Sequence, residues 1–250
     1  MKEYHIILFM KKKMISEYYP DSKTSFSVEI NKRLIRKKTK YQTIEVYKTK
    51  KLGNLLVLDG CFMFTDADHY LYHQKCYDLI KNKESLKNIL IVGGGDFGIV
   101  KQLSQLTKIH SLTLIEIDSA VIQICKKFFP NFFKIRKSFC KKINIVCEDG
   151  YKWIKNNTNK KFDLIIVDCT DPTGIAKKLF SKRFFKYVHR ILKKSSQYIQ
   201  QSGSPIVNRK NIISPMQRNL KEIGFCKIKE SEFPMPSYPL GLWSFISSQK

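Results

Sequence analysis

Acidic side chains follow several apolar runs of this sequence, and their spacing is typical of a ligand site. Four of them, each placed after such a run, are Asp96, Glu116, Asp149 and Asp168. In an open α/β sheet the carboxyl ends of parallel strands face one crevice, so we expect these four carboxylates to converge there. Carboxylates around one cavity repel each other unless a cation enters or one of them stays protonated. The pattern therefore predicts a site for a cationic or sulfonium ligand.

A glycine-rich turn, VGGGDFG, leads to the first of these carboxylates and contains Gly93 and Gly95. Such turns bring the backbone close to a nucleotide, and dinucleotide sites share them with methyltransferase-type sites. Glu116, about twenty residues further on, is placed to accept both hydroxyls of a ribose. An acidic site suits the phosphates of NAD poorly, so the pattern favours an adenosyl sulfonium. In such a ligand, Asp149 would lie near the adenine amine, with Gly150 allowing close approach.

The composition is strongly basic, since 46 lysines and arginines against 21 acidic residues give a net charge of +25. A nucleic-acid partner would explain this charge, but only seven of the 46 are arginines and the lysines are scattered. We therefore predict no nucleic-acid partner, and we keep a basic nucleic-acid-binding module as the non-enzyme alternative. The apolar run near the start is too short for a secretory or membrane segment, so we expect a soluble, cytoplasmic protein.

Seven cysteines occur without any C-x-x-C spacing. Most lie in apolar runs, where a thiol behaves as a small hydrophobic group. The sequence therefore predicts neither a disulfide framework nor a metal site.

The apolar pattern divides the chain into a β-rich part, 1–70, and a longer part, 71–250, in which strands alternate with helix-length segments. The alternation predicts an α/β fold with a doubly wound parallel sheet. In the first part we predict strands at 26–30, 41–47 and 55–58. We predict helices at 66–80, 97–107, 119–129, 150–157, 181–192 and 211–223, a strand at 198–201, and a final strand pair joining 226–230 to 242–247.

A set of motifs resembles the spermidine synthases, the polyamine aminopropyltransferases, in the right order over nearly the whole chain. The motifs are YQ at 41–42, LGNLLVLDG, TDADHYLYHQ, VGGGDFG, EID, EDG, DCTDP and SYPLGLWSF. The resemblance implies a Rossmann-like domain of the class I methyltransferase type, carrying a small N-terminal β-domain, and usually a homodimer. It also implies transfer of an aminopropyl group from decarboxylated S-adenosylmethionine to putrescine, giving spermidine and methylthioadenosine, without a metal or a resident cofactor.

The resemblance also implies roles for individual residues. Asp168 would accept a proton from the amine, and Asp96 would contact the ammonium of the aminopropyl arm. The predicted nucleoside contacts are Gln42, Gly93, Gly95, Glu116, Asp149 and Gly150, and the predicted diamine contacts are Tyr72, His73, Asp171 and Tyr238.

Some of these residues have a structural alternative. Asp171 precedes a proline and is equally a common turn opener. His73 could be an ordinary half-buried histidine, and Tyr238, between two prolines, could simply fill a groove. Asp59 and Gly60 we interpret as a turn after a strand.

Five positions depart from what most family members carry: Phe97, His69, Gln74, Ile175 and Gly203. We expect these changes to affect substrate affinity and the choice of acceptor amine more than the class of reaction. The same chemistry on cadaverine or spermidine therefore stays open, as does, at greater distance, an S-adenosylmethionine methyltransferase. Asp96 argues against the latter, because the methionine carboxylate would face a like charge.

Overall fold

The computed structural model describes residues 13–172 and 174–250, which form two sheets. The first sheet is antiparallel, and its strands follow each other in sequence order: β1 (Met14–Tyr19), β2 (Thr24–Lys38), β3 (Thr43–Thr49), β4 (Asn54–Leu58) and β5 (Cys61–Thr65). It has a small hydrophobic core of its own: Val28, Tyr47, Leu55, Val57 and Phe62. Asp59 and Gly60 form the turn between β4 and β5, as predicted.

Strand β2 is much longer than the predicted strand at 26–30. Its second half, 31–38, is mostly charged and lacks an apolar alternation that would mark a strand. These residues are extended because their backbone pairs with β3, from Lys38 opposite Thr43 to Ile30 opposite Thr49. Backbone pairing of this kind leaves no signal in side-chain polarity.

The second sheet has seven strands in the order β11-β12-β10-β9-β6-β7-β8. The five from β10 to β8 are parallel, and β11 and β12 continue the sheet in antiparallel pairing. Their bounds are β6 (Asn88–Gly93), β7 (Ser111–Ile115), β8 (Ile143–Val146), β9 (Phe162–Asp168), β10 (Leu192–Gly203), β11 (Cys226–Pro234) and β12 (Leu242–Gln249). The predicted final strand pair is confirmed, and both strands are longer than predicted.

Helices cover both faces of this sheet: α1 (His69–Asp78), α2 (Gly98–Leu103), α3 (Ser119–Phe128), α4 (Lys137–Cys140), α5 (Gly150–Asn156), α6 (Lys182–Ile191) and α7 (Ser214–Ile223). Successive side chains of β6 point to opposite faces. Ile89 and Ile91 pack in the core beneath α1 to α4, whereas Leu90 and Val92 pack in the core beneath α5 to α7. The doubly wound, Rossmann-like fold with an N-terminal β-sheet is therefore confirmed. The domain boundary at residue 70 stays a prediction.

Helix α1 begins three residues later than predicted, because the residues before it form a turn. The Asp68 carboxylate accepts hydrogen bonds from the Thr65 backbone N–H at 2.8 Å and from the Thr65 hydroxyl at 2.7 Å. This turn joins the first sheet to the helix that packs on the second.

The strand order reverses between β6 and β9. From β6 the chain continues outward through β7 to β8, and it then returns to place β9 on the other side of β6. The last residues of these two strands, Gly93 and Asp168, are register partners. Ligands of open α/β sheets bind at such a reversal, outside the carboxyl ends of the strands.

Within the two described ranges, no helix has both the length and the apolar character needed to cross a membrane. The seven cysteines all lie in these ranges, and each is a free thiol.

Candidate active site

A cavity of about 320 Å³ opens at the carboxyl ends of β6, β7 and β9 and reaches the first sheet. All twelve predicted site residues line it: Gln42, Tyr72, His73, Gly93, Gly95, Asp96, Glu116, Asp149, Gly150, Asp168, Asp171 and Tyr238. Residues that lie more than 190 positions apart in the chain thus meet at one place.

The glycine turn is held against the end of β9. Gly93 has φ +82°, and a Cβ added there would lie 1.9 Å from the backbone oxygen of Asp168. The N–H of Gly94 donates to that same oxygen at 2.9 Å. At Gly95 an added Cβ would lie 2.7 Å from Oε2 of Glu116. The glycines therefore allow neighbouring strand ends to approach each other, in addition to leaving room for a ligand.

Glu116 is buried at the end of β7 and faces Gly95. One of its oxygens, Oε1, accepts a hydrogen bond from the Asp118 N–H at 3.0 Å. Burial raises the pKa of Glu116 to about 7, and the nearby charge of Asp118 adds to this. Hydroxyl donors from a ribose would stabilise the ionised form and reverse part of that shift.

Gln42 reaches the cavity from the loop between β2 and β3. Its amide Nε2 donates to Oδ2 of Asp118 at 3.3 Å, and the Thr39 hydroxyl donates to the same oxygen at 2.7 Å. Asp118 also caps α3, since its Oδ1 accepts from the Ala120 N–H at 3.1 Å. Asp118 thus anchors the first sheet to α3, a link that the motifs do not indicate.

Asp149 and Gly150 form the start of α5. Oδ1 of Asp149 accepts from the Lys152 N–H at 3.1 Å and so caps the helix. A Cβ at Gly150 would lie 2.4 Å from Cγ1 of Val92, so this glycine lets α5 pack closely on β6. The capping bond leaves the other carboxylate oxygen of Asp149 free for a ligand.

In the middle of the cavity Tyr72 and Asp168 are hydrogen-bonded. The Tyr72 hydroxyl donates to Oδ1 of Asp168 at 2.7 Å. Burial raises the pKa of Asp168 to about 7, the negative charge of Asp96 contributes, and the Tyr72 hydrogen bond partly opposes the shift. A carboxyl group with a pKa near neutrality is suited to accept and release a proton.

His73 and Asp96 form a buried pair beside this hydrogen bond. Nε2 of His73 lies 3.3 Å from Oδ2 of Asp96, whose Oδ1 accepts from the Gly98 N–H at 2.6 Å. Burial opposes both charges, but the pair outweighs it, so the pKa of His73 is raised and that of Asp96 is lowered. The His73 ring fills the space that a Cβ on Gly98 would need, at 2.1 Å. His73 is therefore paired with a carboxylate, unlike an ordinary half-buried histidine.

The far part of the cavity lies where the two sheets meet. Burial raises the pKa of Asp171 to about 6, and a hydrogen bond with Gln201 opposes the shift. The Tyr238 hydroxyl donates to the backbone oxygen of Met63, on β5, at 2.5 Å. The Tyr238 ring packs edge-on against Trp243, with 4.7 Å between ring centroids. Tyr238 thus joins the C-terminal segment to the first sheet, so it does more than fill a groove.

Sequence reasoning missed two polar residues of this part, Glu17 and Gln201. Both line the cavity. Nε2 of Gln201 donates to the backbone oxygens of Cys169 at 3.0 Å and Thr170 at 3.3 Å, which holds the loop after β9. Glu17 lies on β1, in a segment without any recognisable motif. A carboxylate in a strand of mixed polarity carries no local signal that it faces a cavity.

Of the five positions that depart from the family pattern, the lining of the cavity includes only Ile175. Phe97 is buried, has φ +71°, and stacks on Phe133 with 4.5 Å between ring centroids. Gln74 donates to Asp78 at the exposed surface of α1. His69 packs edge-on against Phe132, and Gly203, with φ +85°, faces Asn208. Four of the five positions therefore lie outside the lining of the cavity.

Two family models match the chain. The spermine/spermidine synthase domain matches residues 55–250, and the spermidine synthase tetramerisation domain matches residues 14–66. Together they cover both sheets.

Curated relatives match most of the chain. The polyamine aminopropyltransferase of Methanocaldococcus jannaschii is 36% identical over 237 residues, which cover 93% of this chain and 78% of the relative. The polyamine aminopropyltransferase of Halorhodospira halophila is 35% identical, over 94% of this chain and 84% of the relative.

Solved structures share the fold. A spermidine synthase in complex with the transition state analogue AdoDATO superposes with a TM-score of 0.86 at 24% identity, covering 96% of this chain and 81% of that chain. Spermidine synthase from Thermotoga maritima gives a TM-score of 0.82 at 24% identity, over 96% of this chain and 80% of that one. With family matches and relatives that extend over nearly its whole length, the chain belongs to the spermine/spermidine synthase family of polyamine aminopropyltransferases.

Proposed function

We propose that this enzyme transfers the aminopropyl group of decarboxylated S-adenosylmethionine to putrescine, producing spermidine and methylthioadenosine. The observation that carries the proposal is the hydrogen bond from Tyr72 to Asp168 in the middle of an acidic cavity. Both substrates are cations at neutral pH, and the cavity offers each of them carboxylates. The reaction as proposed uses no metal and no resident cofactor.

The glycine turn and its neighbours are proposed to hold the nucleoside. Glu116, at the end of β7, would accept the ribose hydroxyls, in the place that a parallel sheet provides for this contact. Asp149 would accept from the adenine amine through the carboxylate oxygen that does not cap α5. Gln42, fixed by Asp118, would close this part of the cavity from the first sheet.

Asp96 supports the choice of the decarboxylated nucleoside. It faces the cavity, and its low pKa keeps it ionised. The ammonium of an aminopropyl arm would form an ionic hydrogen bond there. The methionine arm of S-adenosylmethionine would add a carboxylate, which Asp96 would repel. This contrast also disfavours the methyltransferase alternative.

Asp168 is proposed to accept the proton that the amine must lose before it can react. Deprotonation leaves a lone pair on nitrogen, which attacks the aminopropyl carbon bonded to sulfur. The new N–C bond forms as the C–S bond breaks, and the bonding electron pair moves to sulfur and neutralises the sulfonium. Asp168 then releases its proton to solvent. This proton transfer contributes typically about 10²- to 10⁴-fold to the rate.

Tyr72, Asp171 and Tyr238 would position the amine for in-line attack. Tyr72 offers a hydroxyl beside Asp168, Asp171 offers a carboxylate in the same cavity, and Tyr238 is itself held by the Met63 carbonyl. Correct orientation of two bound reactants supplies a large part of the rate enhancement in such reactions.

We further propose that the enzyme is a homodimer. A spermidine synthase tetramerisation domain matches the first sheet, which supports assembly through this region and makes the tetramer the competing state. Light scattering of the purified protein would separate the two by mass.

The test is mass spectrometry of the purified protein incubated with decarboxylated S-adenosylmethionine and, one at a time, putrescine, cadaverine and spermidine. We expect spermidine and methylthioadenosine with putrescine, at a higher kcat/KM than with either other amine. If another amine were preferred, that amine would be the acceptor, and the class of reaction would stay the same. A methylated product from S-adenosylmethionine, without aminopropyl transfer, would refute the proposal.

A further inference from the structure

One residue of the glycine turn combines an unfavourable backbone conformation with a buried ring. Within residues 13–172 and 174–250, seven non-glycine residues have a positive φ. Six of them are exposed: Lys23, Asp59, Asn82, Ser195, Lys227 and Leu240. The seventh is Phe97, which has φ +71° and ψ 6° and is only 5% exposed. A bulky residue rarely adopts this left-handed conformation, and such strain is concentrated at functional sites.

The Phe97 ring packs in the core beneath α1 to α4 and is not part of the cavity lining. It stacks on Phe133, with 4.5 Å between ring centroids and 24° between ring planes. Burial of the ring and this contact offset the cost of the left-handed backbone. If φ returned to negative values, the ring would have to leave the core. The ring therefore holds residue 97 in one conformation, whereas a glycine at this position would move among several.

The backbone of Phe97 determines how Asp96 is held. The angle ψ of Phe97 orients the peptide unit that follows, and this unit carries the N–H of Gly98. That N–H donates to Oδ1 of Asp96 at 2.6 Å, while Oδ2 of Asp96 lies 3.3 Å from Nε2 of His73. The N–H of Phe97 itself donates to the Gly94 oxygen at 3.0 Å and closes the turn. A change of backbone conformation at residue 97 would therefore release one oxygen of the Asp96 carboxylate.

We infer that Phe97 is a positioning residue for Asp96, because its buried ring fixes the turn that aims this carboxylate at the ammonium of the aminopropyl arm. The inference rests on the proposed function, in which Asp96 makes that contact. Phe97 does not touch the ligand. It increases the affinity for a nucleoside with an aminopropyl arm, because a carboxylate that is already fixed loses less conformational freedom on binding.

A pure packing role for the Phe97 ring makes a different prediction. The part of the turn nearest the nucleoside is held independently of residue 97, since the Gly94 N–H donates to the Asp168 backbone oxygen and Gly95 faces Glu116. Release of residue 97 should therefore spare the nucleoside contacts and weaken the contact to the arm. Loss of core packing alone would change the affinity for all nucleosides alike. Methylthioadenosine, which lacks the aminopropyl arm, separates these two roles.

The experiment is calorimetry of decarboxylated S-adenosylmethionine and of methylthioadenosine, each without an acceptor amine, so that no transfer occurs. Phe97→Gly removes the ring and the backbone strain together and leaves the turn free to move. We expect its Kd for decarboxylated S-adenosylmethionine to rise about 10-fold, because a hydrogen bond to a charged group is weakened, while the Kd for methylthioadenosine changes less than about twofold. Methylthioadenosine also lacks the sulfonium charge, but that difference is the same in wild type and variant and cancels in the comparison.

A second variant and two controls complete the series. Phe133→Leu leaves residue 97 intact and removes only its stacking partner, so the ratio of the two Kd values should shift in the same direction by a smaller factor. Phe139→Leu alters another buried ring of the same core, on α4. Lys227→Gly relieves a left-handed backbone at an exposed position outside the cavity lining. Both controls should leave the ratio of the two Kd values unchanged.

Equal weakening of both ligands in Phe97→Gly would overturn the inference, and so would an unchanged Kd for decarboxylated S-adenosylmethionine. The same shift of the ratio in Phe139→Leu would also overturn it, because it would show a general effect of core packing. If Phe97→Gly did not fold, Phe133→Leu would decide the question against Phe139→Leu.

Failure of the proposed function would be seen separately. If the wild type transferred no aminopropyl group to any amine, the proposed function would fail, and the binding measurements would still decide the role of Phe97. If the wild type bound decarboxylated S-adenosylmethionine no more tightly than methylthioadenosine, the contact of Asp96 with the arm and the inference would both be refuted.

Discussion

The two ends of the cavity are built in different ways. One is the glycine-turn end, which includes Gly93, Glu116 and Asp149. It is formed by the ends of strands of the second sheet and by the start of α5. The junction end, which includes Glu17, Asp171 and Tyr238, depends on contacts between the two sheets. Asp168 lies at the boundary, where its backbone supports the glycine turn and its side chain accepts from Tyr72. The comparison shows that the backbone shapes one end, whereas side chains from two domains complete the other.

Asp168→Asn should have the largest effect. The amide has nearly the same shape but cannot accept the proton of the amine, so we expect single-turnover rates to fall by about 10² or more. Nucleoside binding should be largely retained, since the glycine turn contacts the backbone of residue 168. Asp171→Asn provides the comparison and should mainly raise the KM for the diamine. If Asp168→Asn kept near-normal rates while Asp171→Asn was inactive, Asp171 would be the proton acceptor and Asp168 would orient the amine.

Gly93→Ala should test the backbone origin of the glycine-turn end. The added Cβ would lie 1.9 Å from the Asp168 oxygen at φ +82°, so the strand ends must separate. We expect a loss of about 3 kcal/mol or more in the free energy of unfolding, measured with urea. Gly60→Ala is the matched control, because its φ of +85° is equally unfavourable but nothing lies within 4 Å of the added Cβ. It should cost about 1 kcal/mol. Equal losses of unfolding free energy in the two variants would show that the left-handed backbone conformation alone explains why residue 93 is a glycine.

Glu116→Gln should weaken nucleoside binding more than it slows the bound reaction. A ribose contact is made about equally in the ground and transition states, so we expect the KM for the nucleoside to rise about 10-fold with little change in kcat. Steady-state kinetics with saturating amine would measure both. A normal KM with a collapsed kcat would contradict the assignment of this end to the nucleoside.

The pH dependence of the rate should report the ionisation of Asp168, at the boundary between the two ends of the cavity. Asp168 accepts a proton only when ionised, and its pKa is raised to about 7, so kcat/KM for the amine should fall as the pH falls below 7. Between pH 8 and pH 6 we expect a decrease of about tenfold. Free amines titrate near pH 10, so an inflection near 7 belongs to the protein. A profile without an inflection between pH 6 and pH 8 would show that ionisation of Asp168 does not control the rate.

Stability of the ligand-free protein should have the opposite dependence on pH. The pKa values of Glu17, Glu116, Asp168 and Asp171 are raised in the folded state, so the folded protein binds more protons than the unfolded chain between about pH 4 and 7. Their contribution to stability is therefore complete below the unfolded pKa values and is lost as the pH rises through 7. Thermal melts with and without methylthioadenosine would show whether ligand removes this dependence.

The sequence alone predicted much of the glycine-turn end. Parallel strands are continuous apolar runs, their ends are marked by glycine or a carboxylate, and the topology of such sheets brings those ends together. The apolar pattern therefore predicts that Glu116, Asp149 and Asp168 lie at this end. The same local signals predicted helices α3, α5 and α6 to within about two residues. The motifs added Tyr72, His73 and Tyr238, which the apolar pattern alone would have left as packing residues.

Only the tertiary structure decided how the junction end is assembled. Glu17 belongs to an edge strand with no motif, and its bond to Phe62 requires a sheet curved enough to bring β1 near β5. Tyr238 needs the Met63 carbonyl, 175 residues away in the chain. Even at the glycine-turn end, Gln42 needs Asp118, 76 residues away. Local polarity and spacing indicate most strands and helices of the second sheet, whereas the second half of β2 forms through its pairing with β3. The long-range packing of two sheets determines which polar side chains face the cavity, because it depends on the relative position of surfaces that no short segment encodes.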